Sequence, residues 1–364
     1  MGLSLQNIDK IVSREIHLKD ISLEFESGSR NVILGRTLAG KTSLLRIMAG
    51  LERPTHGNIF VDGNDVTGTS VRKRSVAMVY QQFINYPSLN VFKNIASPLN
   101  KNGLNKKEID RRVRETAEML HLESLLKRLP SELSGGQQQR TAIARALVKD
   151  ADLLLLDEPL VNLDYKLREE LRVELQEIFK QRKSIVVYTT TEPTEALMLG
   201  GNIVVIDEGR VLQTGSTSQV YHNPVTLKVA EVFSDPPINY ISGTVQGSTA
   251  RLGHDIEIPL DGHMKSLPAG KYKFGVRSHR LFLSRTSEGD TEIQARVELS
   301  EINGSETFIH IDYNNSRLVV QENGIQPLRI GAEISIYVNP SCFFVYDEAG
   351  TLVAAPSRDT IEKG

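Results

Sequence analysis

Apolar positions along this chain change rhythm three times. Up to about residue 80 they come in short runs, "SLQNI", "ISLEF", "NVILG", "GNIFVDG" and "SVAMVY", which read as strands and turns around one helix from Thr42 to Met48. Between 106 and 127, Ile109, Val113, Ala117, Met119, Leu120 and Leu122 recur at helical spacing. From Asp152 onward strands alternate with helices: "LLLLD", the amphipathic "KLREELRVELQEIFKQ", "SIVVYT", "EALML" and "NIVVID". That alternation predicts an α/β fold with a mostly parallel sheet covered by helices. Near "FSDPPINYISG" the pattern changes again, and beyond it come only short strands punctuated by Gly and Pro. They predict a small barrel or sandwich, so the domains divide into 1–235 and 236–364.

A length of 364 residues fits two domains, and 40% hydrophobic with 24% charged residues is an ordinary globular balance. A net charge of −2 gives no global basic field, and no basic or aromatic stripe favours a nucleic-acid partner. The single Cys342, in "NPSCFFVY", has no internal disulfide partner and reads as a buried structural thiol in a reducing compartment. The amino terminus, "MGLSLQNIDKIVS", reads as a first strand and not a signal peptide, and no run of 18 apolar residues occurs. Any membrane role comes through a partner.

Three stretches carry chemistry. "GRTLAGKT", Gly35 to Thr42, follows the strand "NVIL" and opens a helix, matching G-x-x-x-x-G-K-S/T in the required context. Its backbone amides would wrap a polyphosphate, Lys41 would reach the β and γ phosphates, and Thr42 would ligate Mg²⁺. "DLLLLDEP" is an apolar strand ending in two carboxylates; Asp157 suits the Mg²⁺ shell and Glu158 could polarise an attacking water, although such a pair is often only a helix cap. "LSGGQQQR" turns through Ser134, Gly135, Gly136 and Gln137 into a helix, a second anion-binding helix end.

Together these resemble the ATP-binding cassette (ABC) ATPases, with "LSGGQ" similar to the family's signature motif. "VYQQFINYPSLNVFKNI" looks like the Q-loop, with Gln81 the glutamine that meets Mg²⁺ and water; "LVNLD", ending at Asp164, is similar to the D-loop. The resemblance covers about residues 4 to 235 and implies a helical subdomain at about 85–150. It also implies ATP held by Gly35, Arg36, Thr37, Leu38, Ala39, Gly40, Lys41, Thr42 and Ser43 of one subunit and the signature of a second. The β-rich remainder resembles the oligonucleotide-binding-like (OB-like, TOBE-type) regulatory barrels of bacterial sugar, polyol and glycerol-phosphate importers. This second resemblance implies an ATPase peripheral to the cytoplasmic face of the inner membrane, docked on two permease subunits and served indirectly by a periplasmic solute-binding protein. The apolar "FINYPSLNVFKNIASPL" suits a groove for a permease helix.

The stretch "SIVVYTTTEPTEAL" departs from that family. A histidine contacting the γ-phosphate, followed by an acid, ends this strand elsewhere; here Thr191 and Glu192 occupy those places. Threonine offers a hydrogen bond but neither charge nor proton shuttle, and Thr191 also reads as a plain helix cap. Val12 falls where an adenine-stacking aromatic is expected, and Arg36-Thr37-Leu38-Ala39 replaces the usual middle of the phosphate loop. With Lys41, Thr42, Gln81, Asp157 and Glu158 retained, the chain's own site reads as weakened. The chain resembles the less regular ATPase of a two-ATPase glycerol or polyol importer. A non-hydrolysing regulatory subunit, or a soluble cassette of translation or DNA repair, remain alternatives.

Overall fold

The computed structural model describes residues 2–101, 103–314 and 316–357. The chain separates into two compact units, Met1–Thr217 and Ser218–Gly364. This boundary precedes the expected one at 235/236, because the last helical text packs with the strands beyond it. Leu227 and Ala230, on the helix Leu227–Val232, share a core with Ile238, Phe344 and Tyr346. The buried Arg277 stacks 3.8 Å over the ring of Tyr221 and donates to the carbonyls of Tyr221 and Phe233 at 2.7 and 3.2 Å. Pro236 and Pro237 therefore lie inside the second unit.

The first unit holds two sheets. Five strands run parallel in the order Asn202–Asp207, Arg30–Leu34, Ile185–Thr190, Leu153–Asp157, Val76–Val79, and Arg210–Ser216 pairs antiparallel at one edge. Leu153–Asp157 and Ile185–Thr190 are buried at every position, as strands covered on both faces must be. Strands Glu15–Phe25, Leu3–Val12, His56–Val61 and Asn64–Asp65 form an antiparallel sheet. Leu5, Ile8 and Leu18 of that sheet, Leu44 and Ile47 of the helix Lys41–Ala49, and Leu155, Val187 and Val204 of the parallel sheet make one continuous core.

Between Val79 and Leu153 lie the helices Val91–Ala96, Lys106–Met119 and Gly135–Leu147. The helix from Lys106 starts on the Asn105 side chain, which accepts the Glu108 N–H at 2.9 Å, and stops at Met119 instead of running to Lys127. His121, at φ 54°, turns the backbone left-handed just beyond its end.

The second unit carries two antiparallel sheets, one of six strands ordered Ile256–Pro259, Thr249–Leu252, Asn239–Gln246, Gly270–Val276, Phe344–Tyr346, Leu352–Ala354, the other ordered Ser316–Asn323, Glu306–Tyr313, Thr291–Asn303, Glu333–Val338. Alternation in Glu306–Tyr313 puts Ile309, Ile311 and Tyr313 into a core shared with Ile241, Leu252 and Phe274 of the first sheet. These antiparallel sheets match the β-rich module expected at the carboxyl end of the chain. Cys342 is partly buried here, and burial raises its thiol above the usual value, as suits an unreactive thiol. Among the described residues no helix is long and apolar enough to cross a membrane.

Candidate functional site

The phosphate loop leaves the strand Arg30–Leu34 and enters the helix Lys41–Ala49. Gly40 stands at φ 101°, and a Cβ there would meet the His17 carbonyl oxygen at 2.7 Å; only glycine serves both demands. Leu38 also turns left-handed, at φ 67°, with a side chain 96% exposed, so the loop keeps its curl without glycine at that place. The Ala39 N–H closes the turn on the Arg36 carbonyl at 3.1 Å. His17, which the motifs do not flag, meets Ser43 Oγ through Nδ1 at 3.3 Å.

Lys41 is buried and lies within one loop's reach of three oxygens. Its Nζ donates to the Gly35 and Arg36 carbonyls at 2.8 and 2.9 Å and pairs with Glu158 Oε1 at 3.1 Å. Gln81 Nε2 donates to the other oxygen of that carboxylate at 3.2 Å. Thr42 Oγ1 donates to Asp157 Oδ1 at 3.1 Å. Burial raises the Asp157 carboxyl above its ordinary value, and the hydroxyls of Thr42 and Thr189 oppose that rise. Thus the loop, the strand tip and the Q-loop glutamine converge although Lys41, Gln81 and Glu158 lie far apart in sequence.

A cleft of about 350 Å³ opens over them, lined by Thr37, Leu38, Gly40 to Ser43, Gln81, Glu158, Val161 and Thr191. Thr191 is part of that lining. Thr190 is not: its hydroxyl donates to the buried Glu195 Oε2 at 2.5 Å and accepts the Glu192 N–H at 2.9 Å. Glu192 pairs with Arg168.

Other sequence candidates stand outside the cleft. Val12 lies at the end of its strand, 38% exposed and paired in register with Glu15. Ser134 caps the helix Gly135–Leu147, its Oγ accepting the Gln137 N–H at 3.4 Å while Gln137 Oε1 accepts the Ser134 N–H at 3.1 Å. Gly135 has open space around it, whereas a Cβ on Gly136 would lie 1.8 Å from Leu167 Cδ2. Asp164 caps the helix Tyr165–Gln181 by accepting the Leu167 N–H at 3.0 Å. Within one chain these groups do not reach the phosphate loop's cleft.

Amide-lined loop, buried lysine and paired carboxylates beside a parallel sheet define a P-loop nucleotide-binding unit. The family model for ABC transporters matches residues 18–161. The sn-glycerol-3-phosphate import ATP-binding proteins UgpC of Shigella boydii and Escherichia coli are each 37% identical over 323 residues, 88% of this chain and 90% of theirs. That of Yersinia pestis is 33% identical over 341 residues, 93% of this chain and 95% of its own. Among solved structures, a dimeric ATP-binding cassette in a post-hydrolysis state bound to ADP and Pi covers 59% of this chain and 98% of its own at 28% identity and a TM-score of 0.54. A Clostridium perfringens component of an ABC transporter complex covers 60% of this chain and 90% of its own at 26% identity and a TM-score of 0.55. The chain belongs to the ABC transporter family, as an ATPase subunit coupled to import.

Proposed function

We propose that this chain binds Mg²⁺-ATP in the cleft over Lys41 and drives uptake of a small carbohydrate or polyol, glycerol and its phosphate foremost, through two membrane permeases. It would sit at the cytoplasmic face of the membrane, paired with a second ATPase subunit and fed indirectly by a solute-binding protein. The convergence of Lys41, Thr42, Asp157, Glu158 and Gln81 carries the reading; the near full-length likeness to glycerol-phosphate import proteins supports the solute class.

The loop amides and Lys41 hold the phosphates. Thr42 and Asp157 offer adjacent hard oxygens, 3.1 Å apart, that would hold a magnesium ion. An Mg²⁺ held by Thr42 and Asp157 would supply charge neutralisation at the phosphoryl oxygens. Glu158, steadied by Gln81, polarises the attacking water, and Thr191 gives the γ-phosphate one hydrogen bond without positive charge. Ser134 to Gln137 and Asp164 serve the facing subunit's nucleotide, since they lie outside the chain's own cleft.

The test is reconstitution in proteoliposomes with importer permeases that copurify with the chain. ATP-dependent uptake of labelled glycerol or glycerol phosphate, lost without this chain, is the expected result. Copurification with ribosomes or nucleic acid instead of permeases would overturn it, and uptake that persists when every cassette's Glu158 equivalent but this one is active would assign the chain a regulatory part.

A further inference from the structure

The strand Ile185–Thr190 ends in hydroxyls, of which the proposed chemistry uses only the neighbouring Thr191. Thr189 lies beside Asp157 in the parallel register and is fully buried. Its Oγ1 donates to Asp157 Oδ1 at 3.0 Å and accepts the Glu158 N–H at 3.0 Å. The same proton has a longer alternative, the Leu156 carbonyl at 3.4 Å, but a carboxylate is the stronger acceptor. One side chain therefore touches both members of the acidic pair.

Each contact constrains something. Thr42 and Thr189 both donate to Oδ1 of Asp157, and among the described residues none donates to Oδ2, so the two hydroxyls set the carboxylate's rotation. Glu158 stands at φ 43°, a backbone that side-chain-bearing residues hold only when their surroundings over-determine it. The Thr189 hydroxyl is the group that takes up its N–H.

We propose that Thr189 is a positioning residue for this site: its hydroxyl orients Asp157 toward the metal and holds the strained backbone that presents Glu158. The inference rests on the roles proposed for those carboxylates in ATP hydrolysis. A bland reading, in which Thr189 only satisfies polar groups at a strand end, makes different predictions for metal binding.

Thr189→Val keeps the branched shape and removes the hydroxyl; Thr189→Ser keeps the hydroxyl; Thr189→Ala differs from the serine variant by that hydroxyl alone. Mn²⁺ binding to the ATP-loaded chain is read by electron paramagnetic resonance, and ATP binding without metal is read by fluorescence. Loss of a hydrogen bond to a charged group predicts Mn²⁺ affinity about tenfold weaker in the valine and alanine variants, near parental in the serine variant, with metal-free ATP binding unchanged throughout. If valine misfolds, the serine–alanine pair decides alone. Equal Mn²⁺ affinity in serine and alanine variants overturns the inference, as does a fall in melting temperature with no change in metal binding. Lys41→Ala is the control: retained ATP binding there would sink the nucleotide site itself, whereas its loss beside an inert Thr189→Ala sinks only the role of Thr189.

Discussion

Lys41 Nζ lies 3.1 Å from Glu158 Oε1, so the cation of the phosphate loop and the carboxylate proposed to polarise water form one ion pair. Lys41 is only 4% exposed and Glu158 14%, so the pair is poorly screened, and entering phosphates must compete with Glu158 for the ammonium.

That competition implies opposite effects on ATP binding. Lys41→Ala removes the phosphates' main cation and should weaken ATP at least tenfold, about 1.4 kcal/mol. Glu158→Gln removes the competitor and a negative charge, and should bind ATP at least as tightly as the parent. Titration with a fluorescent ATP analogue checks both; weaker binding by the glutamine variant would refute the competition.

A second expectation concerns acid and base. Glu195 is buried, its carboxyl raised by burial against the opposing hydroxyls of Thr190 at 2.5 Å and Tyr188 at 3.1 Å. A carboxyl raised in the folded state adds stability below its unfolded value and loses it as pH rises through its folded value. Above the unfolded value, keeping Glu195 buried is therefore a burden. Glu195→Gln keeps an acceptor for both hydroxyls and should match or exceed the parent's melting temperature at pH 7.5, with that advantage vanishing near pH 4. Glu195→Leu strands both hydroxyls and should cost about 1–3 kcal/mol. A glutamine variant less stable than the parent at pH 7.5 would show the charge to be well compensated.

Lys41, Thr42 and Asp157 were legible in sequence because a phosphate loop and an apolar strand tip have fixed spacing and context. Thr189 was not, since in Ile185–Thr190 every position is buried and no alternation separates a hydroxyl that packs from one that orients a carboxylate. Nor was the unit boundary. Leu227 and Ala230 carry the same helical text whether they pack backward or forward, and only their shared core with Phe344 and Tyr346 decides. Gly136 read as an anion-binding glycine; the 1.8 Å approach of Leu167 gives it a packing reason as well. The left-handed His121 that ends the helix at Met119 has no glycine to announce it.

That forward packing changes where the chain can be cut. A fragment ending at Thr217 matches the first compact unit and should stay monomeric, melt cooperatively and bind ATP. Ending it at Asp235 leaves Leu227 and Ala230 without Phe344 and Tyr346, an exposed apolar face that favours association. Size-exclusion chromatography of the two fragments compares them, and a well-behaved longer fragment beside an aggregated shorter one would restore the boundary at 235.

The sharpest prediction separates the chain's two nucleotide surfaces. If it pairs with a more regular cassette, its phosphate loop and Thr191 face the partner's signature, while its Ser134 to Gln137 face the partner's ATP. The first site has Lys41 but carries the neutral Thr191 where the family's histidine is expected, and should turn over slowly; the second borrows an intact helix end. Ser134→Ala is the better probe of the second site: it costs the helix its N-cap, about 1 kcal/mol, but introduces no collision. Gly136→Ala is a poor probe, since its Cβ would collide with Leu167 and damage packing in any role. In the purified complex, Ser134→Ala should abolish most ATP hydrolysis while lowering the melting temperature by only about 2–4 °C, and Glu158→Gln should cost much less. Should Glu158→Gln alone silence the complex while Ser134→Ala leaves it active, both sites work alike and Thr191 serves a competent one. The reason for expecting otherwise is geometric: a helix end stabilises charge only on the phosphate it faces, and Ser134 lies outside the cleft that Lys41 and Thr191 line.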